Sequence, residues 1–146
     1  MTEEPVLTPE EINDQIYVKL KDYKKLSVLE QYAMFIGKAQ ILELGLKQLL
    51  FRNFDVPIND MEKWTLGQKK KKLEEKGLRS DFIALLEEVV DYRNYMAHEF
   101  LVNNAITQSL VNFSDRKLYG DLFKAIHTLE YLMIVYDWIE EHNCWQ

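Results

Sequence analysis

The sequence has a single cysteine, three prolines and five glycines that never cluster. Because one thiol cannot close an intrachain disulfide, Cys144 indicates a reducing compartment, and we expect the protein in the cytoplasm. The isolated glycines exclude a glycine-rich phosphate loop. We recognise no signal peptide and no apolar run long enough to span a bilayer, so no membrane partner is expected. The three histidines lack the spacing of zinc ligands, and neither a metal nor another cofactor is predicted.

Positive charge is scarce overall but concentrated in one segment. The formal net charge of -6 argues against a general nucleic-acid binder, whose affinity rests on many phosphate contacts from Lys and Arg. Residues 63–79 nevertheless hold seven basic residues and only two acidic ones. Within this run Lys69, Lys70, Lys72 and Arg79 are the candidate RNA contacts, because clustered cations attract a phosphate backbone. Four consecutive lysines on a helix point in different directions, so a solvated collar and a site for an acidic partner protein are alternative interpretations.

Length and patterning predict the fold class. With 146 residues, of which 47% are hydrophobic, the chain can bury one good core but is too short to suggest two domains. We predict a flexible acidic N-terminus at residues 1–7 and a single domain at residues 8–146. No segment alternates as a strand does, whereas apolar residues recur at intervals of three and four. The chain is therefore predicted to be all-α, an antiparallel bundle of four or five main helices.

Signals for helix starts divide the chain. Thr8, Ser27 and Thr65 are each followed three residues later by Glu or Gln, which is the pattern of a capping box. The segment 55–63 contains Pro, Asn and Asp and is predicted to be a loop. Ser114 marks the expected start of a last long helix with a heavy apolar face.

A helix is also predicted from Ser80 to Phe100, a stretch with neither Gly nor Pro, with Ser80 as its N-cap. At about 100° per residue, its apolar side chains fall on one broad arc and a polar stripe lies away from the centre of that arc. The arc comprises Phe82, Leu85, Leu86, Val89, Tyr92, Met96, Ala97 and Phe100, and the stripe comprises Glu87, Asp91, Asn94 and His98. One side of this helix is therefore expected to be buried.

Arg93 projects near the middle of the apolar arc of this helix. A guanidinium there is costly unless it is paired, reaches a cleft or subunit seam, or extends toward the histidine side. One interpretation is structural, with Arg93 paired to a carboxylate and His98 on a solvated surface. The other is catalytic, because an arginine, an amide and a histidine on one helix are the side chains that RNA cleavage without a metal requires.

The segment RNYMAH, residues 93–98, has the pattern Arg-polar-x-x-x-His, which resembles the signature of the HEPN superfamily of small all-helical domains. The upstream stretch WTLGQKKKKLEEKG, residues 64–77, resembles the TLG segment that precedes this motif helix in several HEPN-like bacterial families. Together these segments extend the resemblance over roughly residues 27–142, most of the chain.

The resemblance implies an antiparallel helical bundle that forms a homodimer, with two copies of the motif facing one another across a cleft. Many HEPN members are metal-independent endoribonucleases that act as toxins, defence effectors or RNA-processing factors, so an RNA substrate and an antitoxin protein are the implied partners. Arg93 and His98 would be the active-site residues, and Asn94 would orient them. One subgroup has a tyrosine two residues after the histidine. Phe100 stands there in this chain, which argues against the tyrosine-directed regulation of that subgroup.

The chemistry of these residue types agrees with this assignment. Cleavage of RNA without a metal requires the ribose 2′-hydroxyl to attack the adjacent phosphorus while a group takes its proton and another stabilises the phosphoryl oxygens. His98 titrates in the range that proton transfer needs, and Arg93 offers a charged fork that matches phosphate oxygens. Two histidines serve this chemistry better than one, and a symmetric dimer would supply the second.

Two hypotheses from different classes follow from the sequence. The first is a homodimeric HEPN-type ribonuclease, a toxin or defence effector, in which Arg93 and His98 are catalytic. The second is a non-catalytic HEPN-like helical dimer that binds a partner protein or a nucleotide. The intact motif favours the first, whereas the net negative charge favours restraint of the activity or delivery of the substrate by a partner.

Overall fold

A computed structural model of the chain describes residues 6–100 and 115–146. This part forms no strand and is built from a 3₁₀ turn before the third helix, a π turn after the fourth, and five α-helices. The helices are α1 (Pro9–Tyr23), α2 (Val28–Phe54), α3 (Leu66–Glu75), α4 (Ser80–Tyr95) and α5 (Asp115–His142), and the turns are Ile58–Met61 and Met96–Phe100. The predicted all-α bundle is confirmed. No helix in these two ranges combines the length and the apolarity needed to cross a bilayer.

Some of the predicted features lie outside the described residues. These are positions 1–5 of the N-terminal tail, Ser114 at the expected start of the last helix, and the side chain of Phe100 in the apolar arc. The predicted loop at 55–63 is described, and it contains the 3₁₀ turn.

The three predicted N-caps are confirmed, although only Ser27 and Thr65 form the complete capping box. The Thr8 hydroxyl accepts a hydrogen bond from the backbone N–H three residues along at 3.2 Å. Ser27 and Glu30 cap one another reciprocally at 3.2 and 3.1 Å, and Thr65 and Gln68 do so at 3.2 and 2.7 Å. Each cap satisfies backbone donors that have no partner within the helix, so the starts of α1, α2 and α3 are specified locally.

The start of α4 differs from the prediction that Ser80 is its N-cap. Ser80 is already helical, and Arg79 occupies the N-cap position without a capping side chain. The backbone N–H of Arg79 donates to the Trp145 carbonyl at 2.8 Å, and its guanidinium donates to both oxygens of Asp81 at 2.7 and 2.8 Å. The Asp81 carboxylate also accepts a hydrogen bond from the backbone N–H of Phe82 at 2.8 Å, so Asp81 satisfies a first-turn donor of α4. The Arg79 contacts tie this helix start to the C-terminal end of the chain.

Helix α5 is the centre of the bundle, because it packs against α1, α2 and α4. The shared core is apolar and completely buried at its centre. Its members include Leu46, Leu49 and Leu50 of α2, Phe82 and Leu86 of α4, and Leu122, Ile126, Leu129 and Leu132 of α5. After α5, Trp145 folds back and packs edge-on against Phe82 and Tyr136, with ring centroids 5.1 and 5.0 Å apart.

One group of polar side chains is buried within this packing, and we call Tyr23, Lys38 and Glu130 the Glu130 cluster. Glu130 is 1% exposed, and its Oε1 atom accepts a hydrogen bond from the Tyr23 hydroxyl at 2.6 Å and pairs with the Lys38 ammonium. The ammonium also lies 4.9 Å from the centre of the Tyr23 ring. The cluster therefore joins α1, α2 and α5 through a buried charge with two partners.

Candidate functional site

The predicted motif helix changes form within the motif itself. Residues 93–95 belong to α4, whereas Met96, Ala97 and His98 lie in the π turn. Such turns are rare and occur often at functional sites. Met96 is fully buried, but Ala97 is exposed, so its assignment to the apolar arc is wrong. The physical reason is that the wider π turn interrupts the regular angular step on which the helical wheel depends.

Tyr32 of α2 contacts the start of this π turn. Its hydroxyl donates a hydrogen bond to the Met96 carbonyl at 3.1 Å. Burial raises the pKa of the Tyr32 phenol, and the nearby positive charge of Arg93 opposes that rise. Tyr32 therefore anchors the motif segment to α2 from a position close to Arg93.

Arg93 is held at the same junction by a carboxylate of α2. Its Nε atom lies 3.5 Å from Oε1 of Glu43, and the two side chains are 30% and 20% exposed. The Oε1 atom itself is buried and accepts no hydrogen bond. Arg93 is thus paired, as its position on the apolar arc requires, but through a long contact that leaves its donors available.

Lys69 of α3 is the third charged side chain at this junction, and we call Glu43, Lys69 and Arg93 the Glu43 cluster. Lys69 is only 6% exposed, which contradicts the solvated-collar interpretation at this position. Burial lowers the pKa of its ammonium; Glu43 opposes that fall, whereas Lys47 and Arg93 add to it. Lys69 and Arg93 therefore share the Glu43 carboxylate at a partly desolvated position.

The other two motif residues lie on the outer surface. Asn94 and His98 are exposed, together with Glu87 and Asp91, so the predicted polar stripe is confirmed. In the described part of the chain, no side chain forms a hydrogen bond or an ion pair with His98. The structure thus places Arg93 and Asn94 at the end of α4 and the exposed imidazole of His98 in the π turn that follows.

The remaining candidate RNA contacts, Lys70, Lys72 and Arg79, each have a carboxylate neighbour. The neighbours are Glu74 and Glu87 for Lys70 at 3.9 and 3.8 Å, Glu75 for Lys72 at 3.6 Å, and Asp81 for Arg79 at 2.7 Å. The three lysine contacts are long and partly exposed, so they can open at little cost. The structure does not bring these three cations into the Glu43 cluster.

Sequence reasoning missed Glu43 and Tyr32, which lie 50 and 61 positions before Arg93. A usable signal existed in α2, where Gln40, Glu43 and Lys47 recur at the spacing of the buried row. Polar residues in register with an apolar face indicate either an exposed end or a buried polar junction. The structure shows that Glu43 belongs to a junction.

As a chemical site, this region offers charged donors beside an exposed imidazole. The Glu43 cluster provides two cations for an anion, and His98 provides an imidazole, the side chain most often used as a general acid or base. Among the residues that the structure describes, no group of three His, Cys, Asp or Glu side chains could hold a metal ion. Compared with protein-family models, with curated proteins and with solved structures, the chain has no match in any of the three.

Proposed function

We propose that the protein is a HEPN-type, metal-independent endoribonuclease that acts as a homodimeric toxin or defence effector. The observation that carries the proposal is the arrangement around the π turn. Arg93 is positioned by Glu43 while Asn94 and His98 face outward on the same segment. The resemblance of residues 93–98 to the HEPN signature supplies the reaction class.

In the proposed reaction the 2′-oxygen of one ribose forms a bond to the adjacent phosphorus and the bond from phosphorus to the 5′-oxygen breaks. A base removes the proton of the 2′-hydroxyl, and an acid protonates the leaving 5′-oxygen. His98 of one copy and His98 of a second copy take these two roles. Arg93 stabilises the negative charge on the non-bridging oxygens. The products are a 2′,3′-cyclic phosphate and a 5′-hydroxyl.

The outer face of α2 supports the homodimer. Ile41, Leu44 and Phe51 are 63%, 58% and 48% exposed, and they fall within about 80° of one another on the helical wheel. Exposed apolar side chains that cluster in this way are typical of an interface. Glu43 lies about 100° from Leu44 on the same wheel, so packing two copies of this face would place the two Glu43 clusters beside the interface.

The decisive experiment incubates the purified protein with a single-stranded RNA oligonucleotide, in the presence and absence of excess chelator. We expect cleavage that is independent of the chelator and that leaves a 2′,3′-cyclic phosphate, identified by mass spectrometry. His98→Ala is expected to lower the rate on the order of 100-fold or more. His142→Ala is the matched control, because this exposed histidine lies at the end of α5, and its rate should equal that of the wild type.

Three results would remove the nuclease assignment. The first is intact RNA with the wild-type protein, the second is equal cleavage by wild type and His98→Ala, and the third is loss of cleavage in the chelator. Sedimentation of Leu44→Asp tests the dimer separately. A monomeric wild type, or a dimer that this substitution does not weaken, would reject the α2 face as the interface.

A specific observation also favours a non-catalytic helical dimer that binds a partner. Lys70, Lys72 and Arg79 already have carboxylate neighbours, and Lys69 is buried, so each of the four candidate RNA contacts must give up a contact or a buried position to bind a polynucleotide. In that case RNA binding is weak and unselective, and both His98→Ala and wild type leave RNA intact. A protein partner is then the better search target.

A further inference from the structure

A long open groove follows the side of the bundle where α4 and α5 meet. One part, of about 1260 Å³, runs from the N-terminal end of α1 along α4 and α5. A second part, of about 550 Å³, continues toward the end of α4, and Glu88 borders both parts. Since small-molecule pockets measure about 300 to 1000 Å³, the continuous groove is larger than one small ligand needs.

The groove has the length of a helix and is bounded by helices on its sides. On α4 the lining residues follow one face of the helix from Asp81 to Tyr95. These two residues are about 20 Å apart along the helix axis. On α5 they include Tyr131, Val135 and Trp138, which share one face. Helix α1 packs on α5 as well, and its first turn forms the opposite wall. An additional helix laid between these walls would complete the bundle.

The floor of the groove has the residue types that anchor protein partners. Leu85, Tyr92, Tyr131, Val135 and Trp138 are all half-buried there. In the ranges that the structure describes, neither phenol nor the Trp138 indole N–H forms a hydrogen bond. Tyrosine and tryptophan with an apolar body and an unused donor are the commonest hot spots of protein interfaces.

The charges around the groove favour a positively charged partner. Glu88, Asp91 and Asp121 border its narrower part, and none of the three has an ion-pair partner among the described residues. In the wider part Arg79 is paired with Asp81, and the remaining basic side chains of its lining are the histidines His127 and His142. A polynucleotide is therefore repelled from this side, whereas a positively charged segment is attracted.

From these observations we propose that the groove between α4 and α5 binds a cationic amphipathic helix of a partner protein. The apolar face of that helix packs on the aromatic floor, and its Lys or Arg side chains reach the carboxylates of the rim. This proposal does not depend on the ribonuclease proposal, because neither Arg93 nor His98 lines the groove. The two regions adjoin at Asp91, which borders the groove and also belongs to the polar stripe.

The test uses the whole chain and a labelled model peptide, followed by fluorescence anisotropy. The peptide has about 15 residues, or about four turns, with Leu and Ala on one face and Lys on the other. One control peptide has the same composition in scrambled order, and another has Glu in place of Lys. We expect the amphipathic cationic peptide to bind on the order of tenfold or more tightly than either control.

Matched charge reversals then locate the binding site. Glu88→Lys combined with Asp121→Lys is expected to weaken binding of the cationic peptide on the order of tenfold. Glu87→Lys combined with Glu141→Lys makes the same change in net charge on the same two helices but outside the groove, and it should leave the affinity within about twofold of wild type. Binding should also change the fluorescence of Trp138, and Trp138→Phe should remove that change.

Other modes of binding to the groove would give different results in these experiments. Equal weakening by both double variants, or equal binding of the scrambled peptide, would show unspecific attraction and overturn the proposal. Preferred binding of the Glu peptide would also overturn it. If Glu88→Lys with Asp121→Lys converts a dimer into a monomer, a second copy of the chain occupies the groove and the proposed partner is wrong. Circular dichroism of each variant verifies that its helices are retained.

Discussion

The Glu130 cluster and the Glu43 cluster are both partly buried groups of charges around one glutamate, but they are bonded differently. Glu130 is 1% exposed and has two close partners, a tyrosine hydroxyl at 2.6 Å and a lysine ammonium. Glu43 has an ion-pair contact of 3.5 Å to Arg93, and its buried Oε1 atom accepts no hydrogen bond. Lys69 beside it has neither a hydrogen bond nor an ion pair within the described residues.

The difference separates a structural cluster from a candidate functional one. A buried polar network that is fully satisfied stabilises one packing arrangement of its helices. A cluster with unused donors carries a desolvation cost that its own contacts do not offset, and such costs are concentrated at functional sites. The Glu130 cluster therefore holds the bundle together, while the Glu43 cluster keeps charge available beside the motif.

The largest expected effect is on the Glu130 cluster. Glu130→Gln should lower the free energy of unfolding by about 3 kcal/mol, because the Lys38 ammonium then loses its counterion in a mostly buried place. The matched variant Glu43→Gln should cost less than about 1 kcal/mol, since the contact that it removes is long and partly exposed. Urea unfolding followed by circular dichroism measures both. Equal losses would abolish the distinction between the clusters.

A smaller loss in the free energy of unfolding is expected when the Tyr23 hydroxyl is removed. Tyr23→Phe should cost about 2 kcal/mol, the usual value for a hydrogen bond to a charged acceptor. Burial and the hydrogen bond to Glu130 both raise the pKa of the Tyr23 phenol, which agrees with a tightly held proton. Tyr17→Phe on the same helix is the control, because Tyr17 is 58% exposed, and its stability should equal that of the wild type. An equal effect of the two substitutions would contradict the role assigned to Tyr23.

One substitution in the Glu43 cluster is expected to stabilise the folded protein. Lys69→Met keeps the length of the side chain and removes a partly desolvated cation, so thermal or urea unfolding should show a gain of about 1 kcal/mol. Lys71→Met, at an exposed position of the same helix, should be neutral. If Lys69 also contacts RNA, the stabilised variant should cleave more slowly. A destabilised Lys69→Met would show that the ammonium is fully satisfied.

The smallest expected effect is a dependence on pH. Because burial lowers the pKa of Lys69 below its ordinary value of 10.5, the unfolded chain binds this proton more tightly than the folded one. The contribution of Lys69 to stability therefore rises with pH between its folded pKa and 10.5. We expect the advantage of Lys69→Met over wild type to shrink across that window, as measured by urea unfolding at several pH values. A constant difference would mean that the pKa of Lys69 is not lowered.

Much of the fold was predictable because its signals are local. The N-caps at Thr8, Ser27 and Thr65 depend on residues three positions apart, and a helix start needs little more. The exposure of Glu87, Asp91 and Asn94 follows from helical periodicity alone. His98 is exposed as predicted, but it lies in the π turn, where that periodicity is interrupted. The candidate residues Arg93, Asn94 and His98 were predicted from the six consecutive positions 93–98.

Four features were decided only by tertiary structure, because each depends on groups that are distant in sequence. Arg79 and not Ser80 occupies the N-cap position of α4, and its backbone N–H donates to the Trp145 carbonyl. Lys69 is buried because α3 packs against its neighbours, and the π turn is tied to α2 by Tyr32. The sequence by itself determined which helices form and which motif they carry. Packing determined that Arg93 meets Glu43, since helical periodicity specifies a face but not the partner that covers it.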